Sequence, residues 1–158
     1  MSKKPLNSTF SSDVTASKRM DKQTREMEEL YKNMVELSPD SILTVDTKGV
    51  ITSCNAMATR MLGYSKDEMV GKHFSKLGVI RLRDLPKYMK LFSSVLGGKV
   101  TDPLELTFYR KDRTPLLTDV RISLLKVSGK TILQSTARDI TERKRTEEAL
   151  RESEEKLK

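Results

Sequence analysis

Apolar residues recur along the chain with two periods, and the switches between them divide it into elements. From Thr24, the residues Met27, Leu30, Tyr31, Met34 and Leu37 follow at three- and four-residue steps, which places one apolar stripe on a helix over 23–38. Ser38-Pro39-Asp40 ends that helix, because proline disfavours helical geometry in the residue before it. Residues 1–22 lack such spacing and are rich in Lys, Ser, Thr and Asp, so they are expected to form a flexible arm. Two short strand patterns follow, Ser41–Asp46 and Val50–Cys54, around Thr47-Lys48-Gly49, whose glycine suits the positive φ of a tight hairpin.

Asn55 is placed to cap a helix running to Met61 or Leu62, and Gly63 stands where a helix end favours a left-handed residue. Ser65 with Glu68 three residues on reads as a capping box for a second short helix. After Gly71-Lys72-His73-Phe74 comes a connecting segment. Asp84 is then expected to cap a longer helix with Pro86 in its first turn and Leu85, Tyr88, Met89, Phe92, Val95 and Leu96 on one face. Gly97-Gly98 stops it. The period then becomes two: Leu104, Leu106 and Phe108 in one strand, Leu116, Thr118, Val120, Ile122 and Leu124 in the next, and a third strand over 130–138. This order predicts an α+β fold, one antiparallel sheet with helices gathered on one face.

From Ile140 the chain reads as a helix supported by Glu147–Arg151, Glu152–Lys156 and Glu154–Lys158 at four-residue spacing. Leu150 and Leu157 are seven apart, but no second apolar column accompanies them. A helix with so little to bury is expected to continue or to pair with a second copy.

Composition narrows the function classes. The 158 residues suit one core with extensions, and no apolar run approaches the roughly 20 residues that cross a bilayer. Without a secretory leader pattern, a cytoplasmic location is expected. The lone Cys54 supports neither a disulfide nor a structural zinc site, and a small buried hydrophobe is the expected role. Of the formal +8, about +1 falls on residues 1–38, about +8 on 39–138 and about −1 on 139–158. The body cations are spread over several elements, so they read as a solvated surface. The alternative is an adaptor that binds nucleic acid or a protein through Arg81, Arg83, Lys87 and Lys90.

Four pieces, in order, resemble the PAS (sensory box) domains of signalling proteins over about residues 26–145. They are Ser38–Asp46 with Gly49, Asn55 followed by Met61–Lys72, Lys111-Asp112 between two strands, and Ala137–Lys144. One departure is Arg113 where the family has glycine; if positive φ is needed there, a Cβ costs on the order of 1 kcal/mol. The resemblance implies a PAS fold over 39–139 and a C-terminal signalling helix over 140–158. The fold would be a five-stranded antiparallel sheet curled around a small cavity. Its inner-face candidates are Leu43, Val45, Met61, Leu62, Phe74, Met89, Phe92, Leu106, Phe108, Thr118, Val120, Ile122, Leu133, Ser135 and Ala137. These residues either fill one another's space or line a pocket for a small apolar ligand, with Thr118 and Ser135 as polar anchors.

The resemblance also sets expectations for cofactors and partners. A flavin photoreceptor would need a reactive cysteine within Gly71–Ile80, which has none, and a haem sensor an axial ligand. The only histidine, His73, is expected at an exposed site, leaving Met89 or Tyr88 as alternatives, so neither cofactor is expected. No nucleophile–base pair or phosphate loop suggests catalysis, and the tail carries no phospho-accepting histidine. The chain thus reads as the sensory piece of a larger histidine kinase, with a downstream kinase or further PAS module, and dimerising through its terminal helices. Asp139 and Thr141 are expected to set the angle of the exit helix, Asp139 by accepting backbone bonds near the first hairpin and Thr141 by capping the helix. In a plainer reading both only cap it. The stripe from Met27 to Leu37 is expected over the outer sheet face near Ile42, Leu117 and Ile132, or against a second copy.

Overall fold

A computed structural model of the chain describes residues 7–157, with side chains from residue 12. Helix α1 (Asn7–Glu36) is a unit of its own. It begins far earlier than the stripe, so residues 7–22, expected as a flexible arm, are helical, and the rest of that arm lies outside the described residues. Once Met27–Met34 are helical, each added residue gains a backbone bond without a new nucleation cost, and Ala16, Lys18, Arg19 and Met20 are all good helix formers. The stripe is amphipathic as read, yet Met27, Leu30, Tyr31 and Met34 are each more than half exposed.

The second unit, Leu37–Lys158, holds the core. Strands β1 (Ser41–Val45) and β2 (Ile51–Cys54) form the hairpin. Asp46 closes its turn by accepting, through Oδ1, from Lys48 N at 2.9 Å and Val50 N at 3.0 Å. Gly49 sits at φ +90°, and a Cβ there would run into the His73 ring, so glycine is required twice over. Helix α2 (Ala56–Leu62) starts at the Asn55 cap and ends at Gly63 with φ +79°. Helix α3 (Lys66–Met69) carries the complete Ser65–Glu68 capping box.

Two 3₁₀ turns, Phe74–Lys76 and Leu82–Asp84, lead into α4 (Leu85–Leu96). Asp84 makes no side-chain cap bond, contrary to expectation. The turn before α4 feeds straight into the helix and leaves Asp84 near φ −95°, ψ −10°, whereas a capping residue needs extended geometry. Strands β3 (Leu104–Tyr109), β4 (Pro115–Val127) and β5 (Lys130–Asp139) complete one sheet of order β2-β1-β5-β4-β3, every neighbouring pair antiparallel. The N-terminal strand thus pairs with the last one, and β5 lies in the middle. Between β3 and β4, Arg113 adopts φ +68°, the left-handed conformation that the family fills with glycine.

The core lies between the inner sheet face and helices α2, α3 and α4, around Ile51, Ala58, Met69, Val95 and Leu116, each at most 2% exposed. A smaller cluster of Leu106, Val120 and Ala137 packs against Tyr88 and Leu91. Burial at this density is the main source of stability.

Beyond β5, Ile140 is buried and its N–H donates to Leu117 O at 3.0 Å, and α5 (Thr141–Lys156) follows. Of the expected ion pairs, Glu147–Arg151 and Glu152–Lys156 are not formed among the described residues, and Glu154–Lys158 lies outside them. Glu147 meets Arg143 and Lys144 at 3.7 Å instead of Arg151, and Arg151 meets Glu148 at 3.8 Å. Arg143 and Lys144 also reach Glu105 of β3, at 3.8 and 3.1 Å, which holds the first turns of α5 to the sheet.

Candidate ligand cavity and output joint

Alternation along the strands turns Leu43 and Val45 of β1, Leu106 and Phe108 of β3, Ile122 of β4 and Leu133, Ser135 and Ala137 of β5 to the same side. Together with Met61 and Leu62 of α2, Phe74 and Phe92 they enclose a cavity of about 140 Å³. That is about the size of an apolar void that stays dry and accepts a benzene-sized guest, ~150 Å³. The structure therefore gathers most of the inner-face candidates around one space.

Three candidates stand elsewhere. Met89 is 40% exposed on the outer side of α4, while Leu91 lines the cavity; the apolar stripe is wide enough that its edge cannot be fixed from spacing alone. Thr118 is fully buried, its hydroxyl donates to Leu106 O at 2.8 Å and so holds β3 to β4, and it is not among the residues on the cavity wall. Val120 packs in the smaller cluster and is not on the cavity wall, although its cluster neighbours Leu106 and Ala137 are.

Sequence reasoning missed Ser41, Ile51, Leu77, Val79, Ile80, Tyr88 and Leu91 on the wall. Leu77, Val79 and Ile80 come from the segment read only as a connection. It is buried, and Tyr109 N donates to Val79 O at 2.9 Å. Its apolar run, Leu77-Gly78-Val79-Ile80, was the signal available. Ser41 and Ser135 supply hydroxyls at the wall, and Tyr88 directs its hydroxyl to Thr107 O at 3.2 Å. Burial first, then the nearby Asp84 and Tyr109, pushes the Tyr88 phenol up to about 12.

His73 is half-buried, not exposed: Nδ1 lies 2.7 Å from Ser75 Oγ, and its ring stacks on Phe74 with centroids 4.7 Å apart. Phe74 in turn meets Phe92 at 5.4 Å across the cavity. Cys54 is buried at the end of β2. Arg81 lies over the Tyr109 ring at 4.0 Å, while Arg83, Lys87 and Lys90 are exposed. Among the described residues no group of three His, Cys, Asp or Glu could hold a metal, and no helix is long and apolar enough to cross a membrane.

The inner wall leads directly to the exit of the chain. Asp139, the last residue of β5, accepts through Oδ1 from the Thr141 backbone at 2.9 Å and the Thr141 hydroxyl at 2.6 Å. It makes no bond to the first hairpin; a two-residue loop back to Thr141 competes successfully with any longer reach. The link toward β1 comes instead from Arg138, paired with Asp40, and that carboxylate raises the Arg138 guanidinium further above its ordinary value. Behind Asp40 stands Asn55, 1% exposed. Its Oδ1 accepts from Ile42 N at 2.9 Å and Ala58 N at 3.0 Å, and its Nδ2 donates to Asp40 O at 2.9 Å. One side chain thus joins the start of β1 to the first turn of α2, a role beyond the cap expected of it. Across the joint, Lys111 donates to Glu68 at 2.7 Å and holds that carboxyl below its usual range, tying α3 to the turn after β3.

A cavity walled by a sheet whose middle strand continues into a helix is the arrangement of a sensory module. A family model described as a PAS domain matches residues 39–142, and the chain belongs to that family. Over 124 residues it is 34% identical to two-component system protein A of Emericella nidulans, covering 77% of this chain and 18% of that protein. Over 131 residues it is 26% identical to signal transduction histidine-protein kinase AtoS of Escherichia coli, covering 82% of this chain and 21% of that protein. The chain thus spans about a fifth of the length of these relatives. The PAS domain of an HTR-like protein from Haloarcula marismortui shares the fold, with TM-score 0.64, 23% identity and coverage of 78% of this chain and 99% of that one. A PAS domain from Desulfitobacterium hafniense does likewise, with TM-score 0.60, 23% identity and coverage of 68% and 98%. The chain is a PAS sensory domain with relatives in two-component signalling.

Proposed function

We propose that this domain is the sensory piece of a longer cytoplasmic histidine kinase or related two-component protein. In this reading a small apolar guest in the cavity, or a partner on the sheet, shifts β5, and the Asp139–Thr141 joint passes that shift to α5. The observation that carries the reading is continuity: Leu133, Ser135 and Ala137 line the cavity, and Asp139 of the same strand holds the first residue of α5. The chain itself contributes no catalytic group in this reading; a downstream kinase or second PAS module does the chemistry. The exposed stripe of α1 and the sparsely apolar α5 support pairing with a second copy of the chain.

The test is made in the full-length signalling protein. Autophosphorylation, or the output of whatever module follows, is measured for wild type, Asp139→Ala and Thr141→Ala with and without signal. Both variants are expected to change the ratio of stimulated to resting output. Unaltered ratios in both would remove the relay.

A further inference from the structure

A second opening, a cleft of about 530 Å³, lies at the root of α5. Its walls carry three arginines, Arg60 of α2, Arg110 after β3 and Arg138 of β5, against two carboxylates, Asp40 and Asp139. The charges are unevenly matched. Arg138 is engaged by Asp40 through bonds of 2.9 and 3.3 Å. Arg110 directs Nη1 to Thr114 Oγ1 at 3.1 Å and Pro115 O at 3.2 Å, but its Nη2 stands 3.9 Å from Asp139 Oδ2, beyond hydrogen-bond length. Arg60 is exposed, and no ion pair among the described residues involves it. Arg60 and Arg110 therefore line one cleft with donors to give, and its lining holds one more cation than anion.

We propose that this cleft binds a small oxyanion, a carboxylate or a phosphate group, between Arg60 and Arg110. The planar fork of arginine matches either group with two parallel N–H···O bonds. An oxyanion at this place offers Arg110 a closer partner than the 3.9 Å contact with Asp139, so binding draws Arg110 away from the residue that anchors Thr141. The anion and the Asp139 contact then compete, and by linkage whatever tightens one weakens the other. Met61 forms part of the wall of both this cleft and the apolar cavity, so the two sites are neighbours and not one. The proposal does not require the cavity to hold a ligand. It shares with the relay reading only the place of Asp139 at the joint.

Isotope-labelled protein is titrated with sodium phosphate and, separately, sodium acetate, each against sodium chloride at equal ionic strength, since screening alone moves surface resonances. Saturable shifts of the Arg60 and Arg110 side-chain N–H signals are expected, with the Thr141 amide moving along the same curve. Arg60→Gln, an exposed change that leaves the core untouched, is expected to weaken the apparent affinity at least about tenfold. Saturation by acetate assigns a carboxylate ligand, and saturation by phosphate alone assigns a phosphate; either supports the site. Shifts no larger than those in chloride, an unchanged curve in Arg60→Gln, or a stationary Thr141 amide while Arg60 and Arg110 respond would each overturn it. The output assay of Asp139→Ala addresses the relay separately, so the two ideas fail independently.

Discussion

Arg138 grips Asp40 from 98 residues away, Nε to Oδ1 at 2.9 Å and Nη2 to Oδ2 at 3.3 Å, so the residue before the exit joint is fastened to the residue before the first strand. The Arg138 side chain is 66% exposed and that of Asp40 21%, so water reaches the pair from the arginine side and its contribution is to orientation more than to stability.

That contrast gives a first prediction. Arg138→Gln is expected to leave the urea midpoint almost unmoved. Asn55→Ala strands the Ile42 and Ala58 N–H groups and the Asp40 carbonyl, and is expected to cost about 3 kcal/mol. Equilibrium urea melts of both variants decide it; equal midpoints would show that Asn55 only caps α2.

The cavity gives a second. Leu133→Ala removes a side chain that is 2% exposed beside an existing void, and is expected to cost about 3 kcal/mol. Added benzene is expected to recover part of the lost melting temperature, because a guest that binds only the folded state stabilises it. No recovery at saturating benzene would mean the enlarged space closes on itself.

The β3–β4 turn gives a third. Arg113 holds φ +68° with a Cβ attached, so Arg113→Gly is expected to raise stability by about 1 kcal/mol, read as a higher melting temperature.

Much of this local architecture was legible because each signal acted within a few residues: Gly49 in the hairpin, Asn55 and Gly63 around α2, the Ser65–Glu68 box, and the two-residue alternation of β3 and β4. What escaped acted across the chain. Nothing near Asn55 announces Ile42 or Asp40 as partners, and Glu105 looks like any outward strand residue until Lys144 arrives beside it. Met89, Thr118 and Val120 lie off the cavity wall for the same reason, since spacing finds a face but not what that face meets. The resemblance carried the parity of β5, which the residues themselves barely display.

Alkaline titration gives a fourth prediction. The Tyr88 phenol titrates near 12 when folded against about 10 when unfolded, so the neutral form is the one the fold favours. The associated stability is fully present below pH 10 and is lost as pH rises through about 12. Ultraviolet titration should show one of the four tyrosines ionising last, and Tyr88→Phe should abolish that final step.

Because β5 is paired with β4 over Lys130–Asp139 and with β1 over Leu133–Ala137, it behaves as a beam clamped on both edges through its middle. Such a beam cannot slide like a piston without tearing both seams at once. What remains to it is twist and bend, which reach α5 through Ile140, whose N–H is still tied to Leu117 O at 3.0 Å. In the proposed relay, the movement expected of α5 is therefore a tilt about Ile140, measured in degrees, and not a travel in ångströms.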